Sequence, residues 1–160
     1  MISNGNEVII KEEKVLVKNV KILFIDENSL PDPENVSAVF LVGYFDGQII
    51  TARNERGWDI PGGHVNKTDP SLLDALKRET YEESNTIIGN AKPYATIQFE
   101  GKDKVMLFYA SKDCVLDEFV PKSDSFERKL MTIPEFISKY NWEKDVMKLL
   151  IERSLLVLKD

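Results

Sequence analysis

The alternation of apolar and polar residues predicts that much of the chain forms short strands. Residues 14–25 (KVLVKNVKILFI) are rich in Val, Ile and Leu with partial alternation, which predicts one or two strands. Residues 36–45 form a longer apolar run that predicts a buried strand, and Asp46-Gly47 then supplies a two-residue hairpin turn. Further strands are predicted at 48–53, 58–60, 95–99, 104–110 and 126–132.

Helical signals occur at three places along the chain. Asp69-Pro70 joins a capping carboxylate to a proline at the first helical position, which predicts a helix that ends near Ser84. Two further helices are predicted, a short one that opens at Pro134 and an amphipathic one at 142–158. Strands that are mixed with helices, rather than strictly alternating with them, predict an α/β (α+β) fold with helices packed on a mixed sheet.

Length and composition favour one globular domain. The 160 residues, 42% of them hydrophobic and 30% charged, are typical of a single domain over 1–160. Within it, 1–35 are expected to form an N-terminal strand extension, which covers a sheet edge or pairs with another subunit in a homodimer. The 27 acidic and 21 basic residues give a formal charge of −6, which disfavours nucleic acid as a partner. An anionic ligand would therefore need a metal ion or a local basic patch.

Two scarce residue types narrow the possible chemistry. Cys114 is the one cysteine, so no internal disulfide can form, and His64 is the one histidine, so no site can use several imidazoles. A metal ion would be held mainly by oxygen, which favours Mg²⁺, Mn²⁺ or Ca²⁺. The sequence shows no signal peptide, and its longest apolar run is shorter than the ~20 residues that span a bilayer. We expect a cytoplasmic protein without a membrane partner.

The helix at 71–84 carries the most informative charges. On a helical wheel that starts at Leu72, Glu79 and Glu83 point most nearly inward and Glu82 lies at the edge of the apolar stripe. Four residues are expected on the opposite side of the helix: Asp74, Lys77, Tyr81 and Ser84. Glutamates on a buried face repel one another and are costly to bury without a partner. A divalent cation would offset both effects.

The acidic helix and the glycine turn also have interpretations without a metal ion. Arg78 lies four residues before Glu82 and can pair with a carboxylate, so the cluster could be a solvated, salt-bridged face without a metal. Pro61-Gly62-Gly63 could be a tight turn that ends a strand, or a place where a backbone carbonyl comes close to a metal or phosphate. The turn and the acidic helix together are more specific than either alone.

These residues resemble the Nudix hydrolase family. Its pattern is G-x5-E-x7-R-E-U-x-E-E-x-G-U, where U is a bulky apolar residue, and here Gly63 and the run 78–83 (RETYEE) match it. The preceding 58–62 (WDIPG) is similar to the strand that leads into the family's box, which covers 61–86 in this chain. The sequence departs from the pattern at Asp69, Thr80, Asn85 and Thr86, where the family has glutamate, a bulky apolar residue, glycine and a bulky apolar residue. Eight residues, rather than seven, separate Asp69 from Arg78.

The resemblance implies an α/β/α sandwich that binds Mg²⁺ or Mn²⁺ and hydrolyses a nucleoside diphosphate linked to another group. By position, Glu79 and Glu83 are the implied principal metal ligands, with Glu82 and the Gly62 carbonyl assisting, and Arg78 orients the glutamates. The three glutamates and Arg78 are also the implied catalytic residues. A base for the attacking water lies outside the box in some family members, and the candidates here are Glu100, Glu118, Asp124 and Glu127.

The implied substrate is a small nucleotide. Compact size and the run GWDIPGG resemble the mutator-type enzymes, which convert nucleoside triphosphates or oxidised nucleotides to the monophosphate and pyrophosphate. Candidate substrate contacts are Arg53, Arg56, Trp58 and His64. The alternative is a Nudix-fold module that senses a nucleotide without cleaving it.

Overall fold

The computed structural model describes residues 13–17 and 19–159. Within them the chain forms eleven strands and three α-helices. The strands are β1 (Glu13–Val17), β2 (Val20–Phe24), β3 (Val36–Phe45), β4 (Gln48–Asn54), β5 (Gly57–Asp59), β6 (Gly62–His64), β7 (Thr86–Ile88), β8 (Lys92–Phe99), β9 (Val105–Ser111), β10 (Cys114–Leu116) and β11 (Glu127–Met131). The helices are α1 (Leu72–Ser84), α2 (Ile133–Lys139) and α3 (Lys144–Val157).

Nine of the strands form one mixed sheet. Its order is β1-β2-β8-β9-β3-β4-β11, with β5 paired to β4 and β6 paired to β3. The β3–β9 pair is parallel, and the other pairs of this sheet are antiparallel. β7 and β10 form a separate antiparallel ribbon. The predicted mixed sheet is therefore confirmed.

The sheet lies between α1 on one face and α2 with α3 on the other. Residues of β9 alternate between the two faces, as a strand requires. Phe108 joins the core cluster of Phe136 and Leu150, whereas Leu107 joins the cluster of Leu76 in α1. The result is an α/β/α sandwich, which confirms the fold expected from the family resemblance.

The predicted strands and helices are present, and the strongly patterned ones have nearly the predicted bounds. Residues 14–25 hold two strands, β1 and β2, and the Asp46-Gly47 turn connects β3 to β4. The predicted extension at 1–35 lies partly outside the described residues. The sequence pattern did not reveal β6, β7 and β10, because each has only three residues and no alternation long enough to detect. No helix among the described residues is long and apolar enough to cross a membrane.

Two details of α1 correct the predictions. Asp69 does not cap the helix: Ser71 is the N-cap, and its Oγ accepts a hydrogen bond from the Asp74 N–H at 3.1 Å. Ser84 does not lie on the exposed side. It is fully buried, and its hydroxyl bonds the Thr80 carbonyl at 2.7 Å, because position 84 falls beside position 80 on the wheel.

Candidate active site

The chain brings the glycines of β6 against the glutamates of α1. A Cβ at Gly63 would lie 2.3 Å from Glu79 Oε1, and a Cβ at Gly62 would lie 2.3 Å from the Val39 carbonyl oxygen. Any side chain at either position would therefore collide with the sheet or with the glutamate. The two glycines allow α1 to pack close to the sheet with its acidic residues facing β6.

The three glutamates differ in exposure in the order that the wheel predicts. The side chain of Glu79 is 17% exposed, Glu83 is half-buried, and the side chain of Glu82 is 56% exposed. Glu79 and Glu83 face the same edge of β6, and Glu82 lies at the solvent boundary. Two carboxylates on the inward face of a helix are costly to bury without compensating charge.

Glu83 lies in a strongly negative environment. Burial raises the pKa of its carboxyl to about 8, and the negative charge of Asp59 adds to this effect, with smaller contributions from Glu79 and Asp124. The Gly62 N–H donates a hydrogen bond to the carboxylate and lowers the pKa in part. Burial also raises the pKa of Glu79, against the hydrogen bond from Arg78.

Arg78 connects the acidic helix to the preceding loop. Its Nε and Nη2 each donate to one oxygen of Asp69 at 2.9 Å, and Nη2 also donates to the His64 carbonyl at 3.1 Å. Its Nη1 donates to Glu79 at 3.0 Å and to Glu82 at 3.4 Å. The hydrogen bonds from Arg78 hold the pKa of the Asp69 carboxyl below its usual value. Asp69 therefore anchors the arginine, and the arginine orients Glu79.

The oxygen atoms of these acidic side chains are the type of ligand that a hard divalent cation prefers. In the part of the chain that the structure describes, no three acidic, imidazole or thiol side chains are already gathered as ligands around one point, and Glu79 accepts a hydrogen bond from Arg78. The negative charges of Asp59, Glu79 and Asp124 nevertheless all act on Glu83, whereas Arg78 bonds other acids. Carboxylates in such surroundings gain from a bound cation, and oxygen donors suit Mg²⁺ or Mn²⁺.

A cleft lies on the α2–α3 face of the sheet. It has a volume of about 470 Å³, and its wall is mainly apolar and aromatic. Phe40 and Phe108 stack in it with ring centroids 5.3 Å apart, and Phe99 meets Trp142 edge-on at 5.5 Å. The polar residues that line it are Asn54, Arg56, Asp59 and Asn141.

Asp59 is a functional candidate that the sequence analysis missed. It ends β5, lines the cleft, and accepts a hydrogen bond from the Ile60 N–H at 2.8 Å. Burial raises the pKa of its carboxyl to about 6, against the Ile60 N–H and the positive charge of Arg56. The one available signal was an acid between Trp58 and the glycines, in a strand of otherwise apolar residues.

The candidate substrate residues occupy different places. Arg56 and Trp58 line the cleft. Arg53 lies outside the lining: its Nε donates to Glu127 Oε1 at 3.0 Å, and its guanidinium lies 5.5 Å from the Phe126 ring centroid. His64 is exposed at the end of β6, where its charge weakly favours the ionised form of Glu79.

The four candidate bases are also separated by the fold. Glu100 is exposed in the turn after β8, Glu127 pairs with Arg53, and Glu118 is exposed in the loop after β10. Asp124 is the candidate whose charge acts on Glu83.

The loop that carries Asp124 is fastened to the end of α1. The adjacent Ser125 is buried, and its Oγ donates to the Glu83 carbonyl at 2.5 Å. Asn85 takes a left-handed conformation, with φ of 54°, and its Oδ1 accepts a hydrogen bond from the Val120 N–H at 2.9 Å. Asn85 thus does what glycine does at a helix end, and its side chain also holds the loop.

Comparison with known proteins assigns the family. The family model described as the NUDIX domain matches residues 19–150, which is most of the chain. The chain belongs to the Nudix hydrolase family. No protein of curated function matches the sequence.

Solved structures of the family share its fold at low sequence identity. The pyrophosphohydrolase BsRppH of Bacillus subtilis is 19% identical, with a TM-score of 0.64 over 85% of this chain and 90% of that one. The MutT protein of Bacillus halodurans is 18% identical, with a TM-score of 0.57 over 71% and 80% of the two chains. The Nudix domain of Shewanella oneidensis NrtR, solved with ADP-ribose, is 18% identical, with a TM-score of 0.59 over 81% and 94%.

Proposed function

We propose that this Nudix-type pyrophosphohydrolase uses Mg²⁺ or Mn²⁺ to cleave a nucleoside triphosphate, or an oxidised form of one, to the monophosphate and pyrophosphate. Water adds to phosphorus, the phosphorus–oxygen bond of the anhydride breaks, and the proton of the water leaves to a carboxylate. No redox partner is needed. The observation that carries the proposal is the position of Asp59, which lines the aromatic cleft and acts electrostatically on Glu83 of the acidic helix.

The cleft supports a nucleoside as the organic part of the substrate. Its volume of about 470 Å³ suits a base and its sugar, and its aromatic wall offers surfaces on which a base can stack. Trp58 and Arg56 are the proposed substrate contacts within it. The likeness to MutT proteins and to an NrtR domain that holds ADP-ribose agrees with a nucleotide ligand.

The residues proposed to hold the cation are Glu79 and Glu83, with Glu82 and the Gly62 carbonyl assisting. A bound cation would supply charge neutralisation of the diphosphate and a more acidic water. Arg78, fixed by Asp69, keeps the Glu79 carboxylate in place. Gly63 gives that carboxylate the room it needs.

We assign the role of proton acceptor to Asp124. It is the member of the four candidates whose charge acts on Glu83, and the hydrogen bond from Ser125 to the Glu83 carbonyl holds its loop in place. A carboxylate beside the implied metal ligands can take a proton from a water bound between them. Asp124→Asn is therefore expected to lower kcat far more than KM.

A nucleotide panel tests the proposal. The wild-type protein is incubated with each of the four NTPs and dNTPs, oxidised dGTP, ADP-ribose, a dinucleoside polyphosphate and an NDP-sugar, with Mg²⁺ or with EDTA. Products are separated by ion exchange. We expect Mg²⁺-dependent formation of a monophosphate and pyrophosphate from at least one triphosphate.

Two results would contradict the proposal in different ways. If a compound binds and raises the melting temperature but none is cleaved, the chain is a nucleotide sensor, which was the alternative from the sequence. If ADP-ribose or a sugar nucleotide is cleaved and no triphosphate is, the reaction class stands and the proposed substrate is wrong.

A further inference from the structure

Asp59 occupies the junction between the aromatic cleft and the acidic helix. It is the last residue of β5, paired with Ala52, and it lines the cleft. Three residues later, the Gly62 N–H donates a hydrogen bond to Glu83. An extended chain advances about 3.3 Å per residue, so the segment 59–62 leads from the cleft to the glutamates within about 10 Å.

The Asp59 carboxylate has acceptor capacity that the protein does not fill. One oxygen, Oδ1, accepts the Ile60 N–H at 2.8 Å. Among the described residues no other group donates a hydrogen bond to this carboxylate. An ionised carboxylate is an acceptor only, and an acceptor that faces a largely apolar cleft is stabilised when a ligand brings a donor to it.

The order of groups in a nucleotide identifies that donor. If the base lies in the cleft and the phosphates lie at the glutamates, as the proposed function requires, the sugar passes the junction at Asp59. Phosphate oxygens would be repelled by a carboxylate, and the N–H groups of the bases, apart from the 2-amino group of guanine, lie on edges remote from the sugar. The sugar hydroxyls are the donors that a nucleotide offers at this point.

We propose that Asp59 accepts a hydrogen bond from a sugar hydroxyl of the bound nucleotide and thereby selects substrates that carry this hydroxyl. Asp59 is then a specificity residue of the site and takes no part in the bond-breaking step. The inference rests on the proposed function, because it needs the base and the phosphates at the two ends of the junction.

The test compares four sugar forms of one nucleoside triphosphate: the ribo, 2′-deoxy, 3′-deoxy and 2′,3′-dideoxy compounds. kcat/KM is measured for each with the wild type, Asp59→Ala and Asp59→Asn. Glu55→Gln is the matched control, since it removes one exposed negative charge from the neighbouring β4–β5 turn without touching the cleft lining. Calorimetric binding of the α,β-methylene analogues of the same four compounds gives a second readout that does not depend on cleavage.

In the wild type we expect removal of one hydroxyl to lower kcat/KM by about 10- to 100-fold, the range for a hydrogen bond to a charged acceptor. In Asp59→Ala this ratio collapses to about 1–3, because any change in rate from the lost charge beside Glu83 is common to all four compounds, and Asp59→Asn lies between. Glu55→Gln keeps the wild-type ratio.

Three outcomes would overturn the inference. A wild type that cleaves all four compounds equally leaves the proposed function standing and removes any role for the hydroxyls. A ratio that survives Asp59→Ala assigns the selection to another residue. If the wild type neither cleaves nor binds any of the four sugar forms with any base of the nucleotide panel, the proposed function fails and this inference fails with it.

Discussion

The Arg78 guanidinium forms a two-pronged hydrogen bond with the Asp69 carboxylate, with both N–O distances at 2.9 Å. The side chain of Asp69 is only 7% exposed, and that of Arg78 is 27% exposed. The pair joins the loop after β6 to the middle of α1. The same guanidinium donates to Glu79 through Nη1. Asp69, which stands where the family pattern has glutamate, therefore positions a proposed metal ligand ten residues away in the chain.

Loss of the Asp69 charge should weaken both the fold and the site. In Asp69→Asn a partly buried guanidinium loses its charged partner, so we expect the free energy of unfolding to fall by about 1–3 kcal/mol in urea denaturation. Turnover should fall by about tenfold or more, because Glu79 is no longer held. Asp46→Asn is the control, since it removes an acid from an exposed turn with φ of 55°, which asparagine accepts.

Retention of full turnover in Asp69→Asn, with the Asp46→Asn control unchanged, would show that Arg78 holds Glu79 without help from Asp69.

Without metal, the protein should become less stable as the pH rises. The Glu83 carboxyl has a pKa of about 8 when folded and 4.5 ordinarily, so between these values the folded state binds a proton that the unfolded state does not. The free energy of unfolding therefore falls through this window, by an amount of the order of 3 kcal/mol. Asp59 adds a slope of the same sign between 3.8 and about 6.

Urea denaturation in EDTA at about pH 5 and about pH 9 measures this slope. Glu83→Gln has no proton to lose there and should flatten it, whereas Glu82→Gln, at the exposed position, should keep it. Mg²⁺ should restore stability at the higher pH in the wild type. A wild type that is equally stable at both pH values in EDTA would contradict the electrostatic account of Glu83.

Two glycine variants should separate activity from stability. In Gly63→Ala the new Cβ would lie 2.3 Å from Glu79 Oε1, so the carboxylate must move and turnover should fall by about 10- to 100-fold with little loss of stability. Gly47→Ala contacts nothing, but its φ of 78° strains the new residue. It should lose about 1 kcal/mol of stability and keep full turnover. Equal turnover in the two variants would contradict the role given to Gly63.

The asparagine at the end of α1 gives a further prediction. Asn85→Gly removes the strain of a φ of 54° but also removes the hydrogen bond that Oδ1 accepts from the Val120 N–H. Overall stability should change by less than about 1 kcal/mol, whereas the Val120 amide should exchange its hydrogen faster. Asp46→Gly relieves the same strain elsewhere and should leave Val120 protected. Unchanged protection in Asn85→Gly would show that the loop is held without Asn85.

The sequence predicted the features that depend on long, regular patterns. The ten-residue apolar run of β3 and the inward side of α1 at Glu79 are present because burial determines them. The Asp46-Gly47 turn is present because both residues accept a positive φ. The hydrogen-bond partner of Asp69 could not be predicted. A carboxylate before a helix can cap the helix N-terminus, or it can bind an arginine within the helix, as Asp69 binds Arg78. Only the fold decides between them.

The cleft was less accessible to sequence reasoning. Its wall combines residues from the sheet, the β4–β5 turn and the segment before α3, which are far apart in the chain. Trp58 and Arg56 were found through their proximity to the glycines, but Asp59 was missed. Arg53 is not part of the cleft wall: it bonds Glu127, and its guanidinium lies 5.5 Å from the Phe126 ring centroid and 5.9 Å from that of Trp58.

The most direct test of the central claim is kcat/KM for the best nucleotide of the panel at saturating Mg²⁺, measured for the wild type, Glu83→Gln and Glu152→Gln. Glu152 is an exposed acid of α3 and serves as the matched control. We expect kcat/KM to fall by at least about 100-fold in Glu83→Gln and to match the wild type in Glu152→Gln, and we expect EDTA to abolish turnover in all three proteins. Full turnover in Glu83→Gln, or in EDTA, would contradict it.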